Sequence, residues 1–194
     1  MSQAHRHYFN NLADQWDQIM PNPVPEYLIE KLSVNGDDKI LDVGAGTGKL
    51  SRAIEPFLNN NGSVIAVDIA EDMLKNGKFQ NPGMSAACSD VCDLAFVDSY
   101  FDKIICFSVF PHIFDKERAL EEFMRTIRPG GRLYIIHTES SVTLNDFHAK
   151  LQEPVCHDML PSAPELAKLC EKQGFQLHNV IDSYDTFWLE CSKS

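Results

Sequence analysis

The sequence predicts an α/β fold, with a mostly parallel sheet and helices on both faces. Three observations carry that expectation. Short apolar runs alternate with amphipathic helical patterns along most of the 194 residues, the rhythm of repeated βα units. Ile40-Leu41-Asp42-Val43 leads directly into Gly44-Ala45-Gly46-Thr47-Gly48, and a helical pattern opens at Lys49. This is strand, tight glycine loop and helix. Asp68 then closes the next apolar run, twenty residues beyond Gly48, where such units place a carboxylate for ribose hydroxyls.

Taken in order, Phe9, Leu12, Ala13, Trp16 and Ile19 share one face of a first helix, which the proline-rich stretch 21–25 ends. A short helix over 26–32 leads to a strand over 39–43. Leu50, Ala53, Ile54, Phe57 and Leu58 form the buried stripe of the helix after the glycine loop, and the stretch 59–62 breaks it. Strand 64–67, a helix over 71–77 and a weak strand over 84–88 follow. A fourth strand spans 103–107. Leu120, Phe123, Met124 and Ile127 stripe the next helix, which Pro129-Gly130-Gly131 stops before a fifth strand over 133–136. A helix over 142–151 gives way to an irregular segment. Ser162 and Glu165 stand at capping-box spacing for a further helix that Gly174 ends. Runs 175–181 and 186–191 flank a turn and predict an antiparallel hairpin at the end of the sheet.

Composition narrows the function. The formal net charge of −11 repels phosphate backbones, so nucleic acid is not the expected partner. No segment reads as a secretory leader or a membrane span. The six cysteines are scattered with no C-x-x-C pair, which fits a reduced, cytoplasmic protein with Cys106 buried. The whole chain is expected to form one domain; monomer and homodimer both stay open.

The glycine spacing is G-x-G-x-G. A dinucleotide fingerprint places its third glycine where Lys49 stands, so the spacing argues against a nicotinamide-dependent oxidoreductase. Asp68 can accept from two ribose hydroxyls, Asp42 can face an ammonium group, and Asp90, after the third strand, can accept from an adenine amino group. Each acid alone reads more simply as a cap or turn former. Three acids ending three successive strands suit an adenosine joined to an amino acid.

With these residues, the chain resembles the class I S-adenosylmethionine-dependent methyltransferases, in particular their ubiquinone/menaquinone-biosynthesis-like, type 11 branch. Asp42 through Gly48 resembles the family's first motif, Val67-Asp68 with Met73 the second, and Ser89-Asp90 the third. Phe101-Asp102 with Phe107-Ser108-Val109-Phe110-Pro111-His112 is similar to the fourth. The resemblance covers most of residues 8–138. It implies a Rossmann-like seven-stranded sheet with an antiparallel last strand, and S-adenosylmethionine as cofactor. It implies cofactor contacts from Asp42, Gly44, Ala45, Gly46, Thr47, Gly48, Asp68, Ile69, Met73, Asp90, Val91, Phe107 and Ser108. Residues 1–20 then resemble a lid helix that brings Tyr8, Phe9 and Trp16 over the sulfonium side, and 140–161 a substrate-side helix and loop. The tail is short and no lipid-binding insertion stands out, so the partner expected is a small-molecule methyl acceptor.

In open α/β sheets, ligands sit beyond the carboxyl ends of the strands. His112 follows the fourth strand and His137 ends the fifth. His148 lies on the next helix, and Cys156 and His157 in the irregular segment. An imidazole suits proton acceptance from an acceptor near neutral pH, which makes His137 or His112 the candidate base. Phe110, with His148 and His157, is a candidate for the acceptor side. A metal held by His112, His137, His148 and His157 has the right residue types, but no compact ligand spacing supports it. A non-catalytic cofactor- or metal-binding protein on the same fold is the alternative to an enzyme.

Overall fold

Apolar residues on alternate positions of consecutive strands build a sheet that is covered on both sides. The computed structural model describes residues 2–194. Helices α1 (Gln3–Leu12), α2 (Trp16–Ile19) and α3 (Glu26–Leu32) precede β1 (Lys39–Val43) and α4 (Lys49–Ile54). Then come β2 (Ser63–Asp68), α5 (Glu71–Gln80), β3 (Ser85–Cys88), β4 (Phe101–Phe107) and α6 (Lys116–Thr126). The chain continues through β5 (Ile127–His137), α7 (Ser141–His148), α8 (Ala163–Lys172), β6 (Phe175–Ser183) and β7 (Thr186–Lys193).

The seven strands form one sheet in the order β3-β2-β1-β4-β5-β7-β6. The first five in that order are mutually parallel. β7 runs antiparallel to both neighbours, so the hairpin inserts its second strand, not its first, beside β5.

On one face Leu41, Ile104, Leu133 and Leu189 pack with Leu120 and Phe123 of α6 and Leu166 and Cys170 of α8. On the other, Ile40, Ile105, Tyr134 and Trp188 pack with Leu28 and Leu32 of α3 and Leu50 and Ile54 of α4. Burial on both faces explains why these strands read as continuous apolar runs. The two faces fix how the strand ends line up, and so place β1, β2, β4 and β5 edge to edge.

Three local expectations are corrected. The N-terminal stripe is not one helix: α1 tightens into a 3₁₀ turn at Ala13–Gln15 before α2, and Ile19 lies 48% exposed. Phe57 leaves the core at 55% exposure, because Pro56 sits in a 3₁₀ turn that re-aims the end of the stripe. Ile127 belongs to β5 rather than to α6; the Pro129-Gly130-Gly131 turn is folded into the beginning of that strand, with a register shift against Phe101 and Lys103. The capping box forms as the spacing predicts, with Ser162 and Glu165 bonding reciprocally at the start of α8.

Candidate active site

The glycine loop joins β1 to α4. Gly44 has φ +64°, and a Cβ there would fall 2.0 Å from Val109 Cγ2, so the turn excludes any side chain. Two buried carboxylates hold it. Asp68 Oδ2 accepts from the Gly46 amide at 2.9 Å and Oδ1 from the Ala70 amide at 2.8 Å. Asp42 Oδ2 accepts from the Ser51 amide at 3.0 Å and hydroxyl at 2.7 Å, which anchors the first turn of α4. Burial raises both carboxyls, partly countered by these bonds, and the neighbouring Asp68 helps push Asp42 up to about 7. Asp90 Oδ1 accepts from the Cys92 amide at 3.0 Å. All three acids therefore support backbone, the simpler role that each suggested in isolation.

The N-terminal helices are docked over this loop. Asp17 Oδ1 accepts from the Thr47 hydroxyl at 2.8 Å, Asp17 Oδ2 from Gln80 at 2.7 Å, and Asn10 Oδ1 from the Asp72 amide at 3.0 Å. Trp16 lies over Gly46, its indole nitrogen 3.3 Å from where a Cβ would stand. Edge-to-face contacts run from Trp16 to Phe9 at 5.9 Å, from Phe9 to His112 at 5.1 Å and from Tyr8 to Phe9 at 5.3 Å. A continuous row of rings thus connects the glycine loop to the histidines.

Those histidines converge on Asp158. His112 Nδ1 lies 2.6 Å from Asp158 Oδ2, and His5 Nε2 2.9 Å from Oδ1. His148 Nδ1 lies 3.0 Å from the backbone carbonyl oxygen of Asp158. The His112 and His148 rings are 5.0 Å apart. His137 packs edge-on against Phe187 at 5.9 Å. Its Nε2 is buried without a hydrogen-bond partner among the described residues. Burial first, then the nearby His112 and His148, push its pKa down to about 3, so it is neutral at physiological pH.

Other candidates lie elsewhere. Phe110 is a fully buried core residue with Lys116 over its ring, not a pocket wall. Met73 is 1% exposed and packs beneath Ala13, Phe9 and Trp16. Val91 is buried in the core, Phe107 packs against the α3–α4 cluster, and Ile69 is half-buried. Ser108 is exposed, with φ +56°. His157 is removed from the cluster: its side chain is 78% exposed, 3.6 Å from Glu153, because the 3₁₀ turn Val155–His157 aims it outward while the next residue turns in. With His112 and His148 committed to Asp158, no group of three or more His, Cys, Asp or Glu among the described residues could hold a metal ion. A cavity of about 200 Å³ is lined by Ser2, Asp90, Cys92, Phe114 and Asp115. Sequence reasoning missed His5 and Asp158; the sole signal was that Asp158 sits in the histidine-bearing irregular segment.

Comparison with known proteins decides the family. The methyltransferase-domain family, type 11, matches residues 41–135, from within β1 to within β5. The chain belongs to the class I S-adenosylmethionine-dependent methyltransferases. The chain is 33% identical over 141 residues to the ubiquinone/menaquinone biosynthesis C-methyltransferase of Proteus mirabilis, covering 70% of the chain and 55% of the relative. It is 34% identical over 108 residues to the demethylmenaquinone methyltransferase of Paenarthrobacter aurescens, covering 56% and 42%. The chain thus spans about half the length of these curated relatives. Its fold is shared with a SAM-dependent methyltransferase from Aquifex aeolicus, at a TM-score of 0.73 and 19% identity over 97% of this chain and 98% of that one. No helix among the described residues is long and apolar enough to cross a membrane.

Proposed function

We propose that this chain transfers a methyl group from S-adenosylmethionine to a small acceptor seated beside His112 and His137. The observation that carries this reading is the buried, unpartnered Nε2 of His137. A buried polar atom left without a partner costs roughly 1–3 kcal/mol, and a bound acceptor that hydrogen-bonds there removes that cost.

The residues suit the cofactor. The loop from Gly44 to Gly48 leaves bare backbone under Trp16, where a Cβ on Gly46 would intrude. Asp68 uses one lone pair on each oxygen, so both oxygens can still accept from ribose hydroxyls. Asp42 makes both its contacts through Oδ2, leaving Oδ1 for an ammonium group. Asp90 and Cys92 border the small cavity beyond the end of β3, the place for an adenine ring. When bound, the cofactor supplies an electrophilic methyl group. The protein's share is to orient the acceptor, exclude water beneath Tyr8, Phe9 and Trp16, and accept a proton on an imidazole.

A hydroxylated aromatic ring is the first acceptor class to test. The two relatives are named for methylation in quinone biosynthesis, and loss of a ring hydroxyl proton is what makes ring carbon nucleophilic. Phe114, Phe147 and Met159, beside His112, His148 and Asp158 in the chain, are all more than half exposed and offer apolar surface for such a ring. Six free cysteines fit a reducing compartment such as the cytoplasm.

The test is formation of S-adenosylhomocysteine across a panel of hydroxylated aromatics, thiols and amines. One acceptor is expected to turn over, and H112Q or H137Q to slow it on the order of 10²-fold or more without weakening cofactor binding. If no panel member is methylated while S-adenosylmethionine binds, a binding role replaces the enzymatic one.

A further inference from the structure

We infer that Asp158 is a positioning residue: through its carboxylate and its own backbone carbonyl it fixes the Nδ1–H tautomer of both His112 and His148, leaving Nε2 of each as the proton acceptor. The argument starts from what an oxygen can do. A carboxylate accepts and cannot donate, and a backbone carbonyl likewise only accepts. Burial works to raise the Asp158 carboxyl, but the hydrogen bonds from His112 and His5 outweigh it and hold the group below its usual range. It is therefore ionised at neutral pH.

Each imidazole that meets Asp158 must then donate to it. His112 donates from Nδ1 to Oδ2 at 2.6 Å. His148 donates from Nδ1 to the carbonyl oxygen at 3.0 Å. In the neutral ring one nitrogen carries the proton and the other carries the lone pair, so the lone pair of each falls on Nε2. Burial lowers His148, which keeps it in the neutral, proton-accepting form. Other titratable groups in reach are Lys116, which acts on Asp158, and Asp68 and the neutral His137, which face His112.

The third partner ties this arrangement to the N-terminal helices. His5 donates from Nε2 to the same carboxylate at 2.9 Å and takes a hydrogen bond on Nδ1 from the Ser2 hydroxyl at 2.6 Å. One side chain thus joins residues 153 positions apart in the chain. The carboxylate that orients the candidate base also holds α1 in place over it. That these lone pairs serve methyl transfer rests on the function proposed above; the tautomers themselves do not.

The two acceptor atoms on Asp158 give the experiment an internal control. Asp158→Ala deletes the carboxylate and keeps the carbonyl. Long-range ¹H–¹⁵N spectra of the ¹⁵N-labelled protein, at a pH where the imidazoles are neutral, read each tautomer directly. The wild-type protein is expected to show His112 and His148 both as Nδ1–H. In D158A, His112 is expected to lose that signature and His148 to keep it. Finding His112 as Nε2–H in the wild-type protein, or unchanged in D158A, overturns the inference. If D158A fails to fold, the wild-type spectrum alone decides. Calorimetry with S-adenosylhomocysteine on the wild-type sample is a separate reading: absent binding removes the proposed function and leaves the tautomer result standing.

Discussion

The Trp16 indole lies across Gly46, close enough that a methyl group on the glycine would touch its ring nitrogen. The contact joins a helix-borne aromatic to the loop that opens the sheet. Trp188, the other tryptophan, is 4% exposed in the core between α3 and the sheet. Fluorescence changes on adding S-adenosylhomocysteine are therefore expected to come from Trp16. W16F should abolish the response and speed ligand release on the order of 10-fold or more in a displacement experiment, by the loss of about 1–2 kcal/mol of buried ring contact. A full response in W16F would show that Trp16 does not cover the site.

Asp68 serves two purposes, and its variants separate them. Asp68→Asn keeps an oxygen for one of its two backbone donors, whereas Asp68→Ala frees both the Gly46 and Ala70 amides. Calorimetry is expected to show S-adenosylhomocysteine affinity falling about 10- to 100-fold in D68N and further in D68A, with about 1–3 kcal/mol of stability lost in D68A. Undiminished affinity in D68A would remove Asp68 from cofactor binding.

The loop's dependence on Gly44 can be tested by compensation. G44A meets Val109 Cγ2 and carries the strain of φ +64°. V109A removes the Cγ methyls but keeps Val109 Cβ, 2.6 Å from the added methyl, so it should relieve the clash in part, leaving that contact and a backbone penalty of about 1–2 kcal/mol. Denaturant titration should find G44A less stable than G44A/V109A. The reverse order would place the conflict in the backbone alone.

Two buried groups oppose each other in pH dependence. His137 has its pKa lowered to about 3 by burial, so its contribution to stability is complete above 6.5 and is lost as pH falls toward 3. Asp42 has its pKa raised to about 7, so its contribution is complete below 3.8 and is lost as pH rises toward 7. Between about pH 4 and 6.5 the two slopes oppose, each at most about 1.4 kcal/mol per pH unit. H137L should make the protein relatively more stable toward acid, and D42N relatively more stable toward neutral pH. Thermal melts across pH 4–8 check both; shifts of the same sign would contradict the assignment.

The sequence made some of this legible and hid the rest for physical reasons. β1, the glycine loop and α4 follow from local rules: an apolar run, residues that tolerate positive φ, and a 3.6-residue stripe. The capping box at Ser162 is equally local. The Asp158 cluster is not. His157 and Asp158 are neighbours in a segment without periodicity, so nothing in the pattern tells which side chain points inward. His5 meets Asp158 only because α1 folds back across the sheet edge. Phe110 shows the same limit from the other side: an aromatic next to a candidate histidine reads as a pocket wall until the packing of α6 encloses it.

The place of β7 between β5 and β6 bears on how the protein is made. His137 sits opposite Phe187 in the β5–β7 register, and among the described residues β6 has no neighbour in the sheet besides β7. On the ribosome, the flank of β5 stays open and β6 has nowhere to dock until residue 193 has emerged. A message that stops before Thr186 would yield a five-stranded sheet with a bare apolar margin, a substrate for chaperones and proteases rather than a smaller enzyme.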